Sequence, residues 1–411
     1  MPGKLVEKAV VLVSGGETLG GLAAVRALRA VGHQPWVAVH DPRGYAARSR
    51  AAAGVVRVPD PSEDGPSFVR ALVDAAAAIP ASIVMPGNEP ALVALAAGAD
   101  RFPPGVVVAA CPPDVVERAI DKAQLANLAA DAGLTVPSTA HLSLSTFARG
   151  LPFPYPVVVK PVRSDLEGPG GASRHYSARR AESPDDLREA LAALPNARAL
   201  VQPFLPGPIG SLAGVFWQGE MVVVVQSRGD RIWPPHCGSM TWAVTVPLDE
   251  RLSSRMGHLL RAIGWNGLFQ ADFVEHAGRC FLIDLNPRLY TSMAITTHAG
   301  ANLPAIWVDL LRGAPPRVDR RYAVGVGYRH DEDDIRALFR MFVHGPRIAA
   351  LRGLVPRRRT VHAVFSIRDP MPLLTSAGKL FRLASARLRR AQPTRAEILQ
   401  KPGPQPYRRK T

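Results

Sequence analysis

Gln270-Ala-Asp-Phe-Val274, a turn at His276-Ala-Gly-Arg279 and the run Phe281-Leu-Ile-Asp-Leu-Asn-Pro-Arg288 decide how this chain is read. Two apolar strands each carry an acid that interrupts the hydrophobic run. Asp284 and Asn286 alternate with Ile283 and Leu285, so the period of two in a strand puts both oxygen-bearing side chains on one face. The short turn folds Asp272 alongside them. Three hard oxygen donors and Arg288 then converge, a set suited to magnesium and phosphate. The plainer reading is an Asn-Pro turn with an acid near a strand end. That reading leaves the buried carboxylates unexplained, because their burial is costly unless a cation offsets it.

Upstream, Asp121-Lys122 opens a helix over 124–131 that Gly133 and Val136-Pro137 close. Tyr155-Pro-Val-Val-Val-Lys160-Pro161 is a strand with a lysine at its end. Taken singly, Lys122 and Lys160 read equally as solvated lysines. The loop 163–173, with Gly170 and Gly171, either closes its backbone N–H groups over phosphates or is a surface hairpin. A segment from Ala199 to Gly207 includes Gln202, Phe204 and Leu205, with Pro203 removing a backbone donor. A strand over 221–226 leads to Arg228 and Arg231, then to a loop whose His236 is either a general base or a polar surface group.

In this order, over roughly residues 121–313, the motifs resemble the ATP-grasp superfamily, and within it carboxylate–amine ligase-like members related to carbamoyl-phosphate synthase. The resemblance implies that Asp272, Asp284 and Asn286 hold two magnesium ions, with manganese as the substitute. It places Lys122 and Lys160 on the ATP phosphates, Gly170 and Gly171 in a lid, and Gln202, Phe204 and Leu205 around adenine. Arg288 falls beside the transferred phosphate, and Arg228 is the candidate for holding a phosphate or a substrate carboxylate. The sequence departs from the family at Asp284, where glutamate is usual, at Pro203, and at Ile209, where some members have a ribose-binding glutamate. The implied activity joins a small-molecule carboxylate to an amine through an acyl-phosphate, with ATP cleaved to ADP and phosphate. The alternatives are a carboxyphosphate- or carbamoyl-forming enzyme, and an ATP-binding regulatory or membrane-recruitment protein with weak turnover.

The expected class is α/β. A Rossmann-like domain (1–120) precedes an α+β ATP-grasp domain (121–325), a basic helical extension (326–399) and a disordered tail (400–411). Strand and helix alternate through the first 120 residues, as in a parallel sheet covered by helices. Ser14–Gly21 and Gly87-Asn88-Glu89 end two of its strands, where they either meet at one cleft or serve only a glycine turn and, at Asn88, a helix cap.

Hydrophobic residues at 47% and charged ones at 20% describe a folded chain rather than a disordered one. Cys111, Cys237 and Cys280 lack metal-ligand spacing and exclude a disulfide framework. The net charge of +16 is concentrated: sixteen Lys/Arg face Asp369 and Glu397 after residue 340, a net of +14. There Leu373, Ala377, Leu380, Phe381, Ala384 and Leu388 share a helical face among basic residues, which either packs on its own domain or lies on an anionic membrane. Few aromatic residues interleave the charge, which argues against nucleic acid. The apolar run 9–13 is too short for a signal peptide or a membrane span, so the expected location is cytoplasmic, with the inner face of the membrane as a peripheral site.

Overall fold

The computed structural model describes residues 8–378 except 147–149, 168–171, 196–198, 317, 319–320 and 356. Gly170, Gly171, most of the expected basic amphipathic helix and the tail lie outside the described residues.

β1 (Val10–Val13), α1 (Leu19–Ala30), β2 (Gln34–Val39), β3 (Gly54–Arg57), α2 (Gly65–Ala78), β4 (Ile83–Met85), α3 (Glu89–Ala97) and β5 (Val107–Val108) alternate along the chain. The strands pair in parallel in the order β3-β2-β1-β4-β5. Val11 to Val13 and Ile83 to Met85 are inaccessible to solvent, as central parallel strands covered on both faces must be. Strand order reverses between β1 and β4, which opens a crevice at their carboxyl ends. The two loops meet there: Gly87 N donates to Ser14 Oγ at 3.0 Å. A Cβ on Gly87 would lie 2.0 Å from the Ser14 carbonyl oxygen, so only glycine permits this approach. Asn88 caps α3 by accepting from Ala91 N at 2.9 Å.

After α4 (Pro113–Ile120), α5 (Lys122–Asp131) starts two residues earlier than the pattern predicts. Its N-cap is Asp121, whose carboxylate accepts from the backbone of Ala123 and Gln124. Next come β6 (Ala140–Leu142), β7 (Val157–Pro161), β8 (Asp165–Glu167), β9 (Ser173–His175), β10 (Arg179–Ala181), α6 (Pro184–Ala192) and β11 (Ala199–Pro203). They make an antiparallel sheet, β10-β7-β11-β6, and a separate ribbon of β8 and β9. Leu187 and Leu191 of α6 pack on Val157, Val159 and Val201 beneath that sheet.

β12 (Ile209–Trp217), β13 (Glu220–Trp233), β14 (Ser239–Thr245), α7 (Glu250–Ile263), β15 (Gly267–His276) and β16 (Arg279–Asn286) build the largest sheet. α8 (Ala294–His298) and α9 (Leu303–Leu311) follow, and Trp307 of α9 packs against the sheet. This sheet continues past residue 325. β17 (Gly327–Arg329) pairs with β14, and after α10 (Asp331–His344) and α11 (Arg347–Leu354), β18 (Thr360–His362) pairs with β17. The full order is β16-β15-β12-β13-β14-β17-β18.

The extension is therefore woven into the core. Asp334 of α10 is inaccessible to solvent and meets Arg231 of β13, Arg329 of β17 and Thr241 of β14. Farther on, Asp369 accepts from Arg26 of α1, Ser49 and Arg50 N, which clasps the extension to the first sheet.

Candidate functional site

The hairpin folds as its pattern requires. Ala277 and Gly278 both have positive φ, the backbone of the two-residue turn whose twist matches a hairpin. Register then sets Asp272 opposite Asp284 and Gln270 opposite Asn286. A bulge between Asp272 and Phe273 re-aims the strand beside these side chains. All four line a cleft of about 870 Å³ between the antiparallel sheet and the large sheet.

Lys122, Lys160 and Arg288 enter the same cleft from three different segments. Lys122 Nζ lies 2.9 Å from Asp284 Oδ1 and donates to Ser164 Oγ at 2.9 Å. Lys160, at the end of β7, is 7% exposed and donates to the Ile283 carbonyl at 2.9 Å. Asp272 accepts from the amides of Gln270 (2.9 Å) and Asn286 (3.2 Å), and no cationic side chain pairs with it among the described residues. Arg288 Nη1 donates to the Leu289 carbonyl, while its buried Nε has no hydrogen-bond partner.

These surroundings move the charges apart. Burial, and then the neighbouring Asp284, push the Asp272 carboxyl up to about 7. Burial also acts to raise Asp284, but Lys122 and then Lys160 hold it below the usual carboxylate range. Burial acts to lower Lys122, which Asp284 and Glu89 nonetheless keep above its ordinary value. Lys160 has no such carboxylate bond, and burial brings it down to about 8.

The donor set fits a divalent cation. Two facing carboxylates and an amide supply only hard oxygen ligands, and the burial and the Asp284 repulsion that raise Asp272 are costs a divalent ion would offset. Asp272, Asp284 and Asn286 would hold it.

At the cleft's other end, Gln202, Phe204 and Leu205 are present with Ile209. Gln202 Nε2 donates to Thr139 Oγ1, and Phe204 N is committed to the Pro156 carbonyl. Arg180 stacks 4.2 Å from the Phe204 ring centre and meets His236 Nδ1 at 3.0 Å. His236 sits at this mouth with a φ of 73°, away from the acids, and burial and Arg180 lower its pKa.

Arg228 is not brought to the site. Ser227 registers with Ser211 and thence Asp272, whereas Arg228 registers with Gly210 and thence Phe273. The period of two therefore turns Arg228 to the opposite face, where it is exposed. Arg231 does line the cleft, but Asp334 holds it through Nε and Nη2.

Two groups at the site escaped the sequence reading, and a third, Glu89, was expected near a cleft without a role of its own. Gln270 joins Asp272 to Asn286, and its position two residues before Asp272 was the available signal. Ser164 anchors Lys122, with no comparable pattern. Glu89 is 6% exposed, without a hydrogen-bond or ion-pair partner among the described residues. Burial raises its carboxyl, with Lys122 and Arg288 opposing. It lines a second cavity of about 330 Å³ with Asp60, Asp165, His175 and Arg288, between the carboxyl ends of β1 and β4 and the β8–β9 ribbon. Arg288 borders both cavities.

Comparison with known proteins agrees with this architecture. Residues 196–331 match the family model described as ATP-grasp in the biosynthetic pathway with Ter operon. No curated protein matches the chain in sequence. The L-amino acid ligase from Bacillus licheniformis superposes with a TM-score of 0.58 at 17% identity, over 74% of each chain. The ADP complex of N5-carboxyaminoimidazole synthetase from Staphylococcus aureus gives 0.59 at 12% identity, over 78% of this chain and 80% of that one. Biotin carboxylase from Campylobacter jejuni, solved with β,γ-ATP, gives 0.58 at 16%, over 78% and 74%. The chain has the ATP-grasp fold.

Proposed function

We propose, from an ATP-grasp fold with this constellation in its cleft, that the protein is an ATP-dependent ligase joining a carboxylate to an amine, releasing ADP and phosphate. The observation that carries the reading is the gathering of Asp272, Asp284, Asn286, Lys122, Lys160 and Arg288 in one cleft. Magnesium bound by the oxygen set would neutralise phosphate charge.

Lys160, its ammonium fixed on the Ile283 carbonyl, is placed to bind the phosphates as a point charge. Lys122 adds a second, steered by Asp284 and Ser164. In the first step a substrate carboxylate oxygen attacks the γ-phosphorus and the bond to the β–γ bridging oxygen breaks, leaving an acyl-phosphate and ADP. The unpartnered Nε of Arg288 donates to the phosphoryl oxygens, stabilising charge as it develops. In the second, an amine nitrogen attacks the acyl carbon, the carbon–oxygen bond to phosphate breaks, and phosphate leaves carrying the displaced electron pair. Because Arg288 borders both cavities, the smaller one is the acceptor's site, where Glu89 receives the amine N–H. The nitrogen's proton passes to that carboxylate or to the departing phosphate.

Supplied with ATP, magnesium and pooled acids and amines, the protein should release ADP and yield an amide detectable by mass spectrometry. Asp284→Ala should abolish both. ADP release undiminished by that substitution would overturn the assignment. Bicarbonate-dependent release without any other acid would instead favour the carboxyphosphate-forming alternative.

A further inference from the structure

α10 has three faces. Asp334 and Leu338 are buried against the sheet, and Arg340, Met341 and His344 line the large cleft. Ile335, Phe339, Phe342 and Val343 face solvent, Phe339 with 69% of its surface exposed. Their i, i+4, i+7, i+8 spacing is that of a face built for apolar contact. α11 extends the same character with Ile348, 70% exposed, and Leu351. The two helices are already closed on each other: a Cβ on Gly353 would lie 2.4 Å from Leu338 Cδ2. The exposed side chains are thus an outer surface, and a grouped apolar surface of this kind marks an interaction site.

Beyond the first turn of α10, whose four acids meet His362, Tyr45, Arg336 and Arg231, the charge around it has one sign. From 335 to 374 the chain carries eight arginines and a single acid, Asp369, which the first sheet already engages. Arg347, Arg352 and Arg358 are exposed and pair with no carboxylate among the described residues.

We propose that the α10–α11 face docks on an anionic lipid bilayer, with its apolar side chains at the acyl boundary and its arginines on the headgroups. No helix of the described residues is long and apolar enough to cross a membrane, so the helices would lie in its plane. A second copy is a poorer occupant, because a two-fold contact would press the two arginine rims together. Residues 379–411 carry ten Lys/Arg against Glu397 and suffer the same repulsion, whereas an anionic bilayer complements both segments.

The test is sedimentation of the full chain with phosphatidylcholine vesicles, with and without one-third phosphatidylglycerol. Binding should require the anionic lipid, and the double variant Phe339→Asp/Ile348→Asp should weaken it about tenfold or more. Neither residue lines the cleft, so far-UV circular dichroism, melting temperature and ATP turnover in solution should not change. Should that pair prove unstable, Arg347→Glu/Arg352→Glu should weaken binding by a similar factor. Three results would overturn the proposal: no anionic binding by the full chain, undiminished binding by a folded double variant, or a wild-type dimer that the double variant abolishes.

Discussion

Buried acids in this chain meet opposite fates. Asp334 is enclosed by Arg231, Arg329 and Thr241, so both its charge and its lone pairs are answered within the protein. Asp272 meets only amides and a second carboxylate, and Glu89 meets no partner among the described residues. Burial alone does not distinguish a structural acid from a functional one. What distinguishes them is whether the protein itself supplies the compensating charge.

The largest effect should come from the functional group. Asp284→Ala should lower ADP release about 100-fold or more, measured by a coupled assay at saturating ATP and magnesium. Asp334→Ala should instead lower stability by about 3–5 kcal/mol, read from denaturant unfolding, because it leaves Arg231 buried without a carboxylate and Arg329 with only Asp331. If Asp272→Asn cost as much stability as Asp334→Ala, the contrast would collapse. Glu89→Gln should raise the KM for the amine about tenfold while leaving that for ATP unchanged, since it removes a charge-assisted bond on the acceptor side only.

The smallest effect sharpens the contrast through pH. A carboxyl raised to about 7 in the folded chain binds its proton more tightly there than when unfolded, near about 4. Magnesium-free protein should therefore lose stability as pH rises from about 4 to about 7. Asp272→Asn should flatten that slope, followed by melting temperature across the range, and magnesium should restore stability at the upper end.

Much of the hairpin was legible because a strand's period of two is unforgiving: Asp272, Asp284 and Asn286 could share a face in only one register. The same rule, applied across from β15 to β13, would have excluded Arg228, but strand pairing between distant segments is not written in either strand. The first sheet was legible because its apolar runs are short and punctuated. Its cleft was legible in position but not in content, since Glu89 gains its meaning only where the β8–β9 ribbon closes over the crevice. The boundary expected at 325 missed how the chain returns: Gly327–Arg329 is too short to carry a periodic signal, yet it and Thr360–His362 extend the large sheet.

The clasp at Asp369 bears on the order in which the molecule is made. Ala363 and Val364 share one apolar core with Leu22 and Val25 of α1, and the Val364 carbonyl accepts from Arg26, so late-made residues cover early-made ones. A nascent chain that has just released residue 325 has its acid-bearing hairpin but lacks β17, β18 and the buried Asp334. Until residue 369 emerges, the α1 surface stays wet and Arg26 lacks this carboxylate. The fold thus closes only after residue 369 has been made, and a chain cut short before residue 360 carries the acid-bearing hairpin without β18 or the Asp369 clasp.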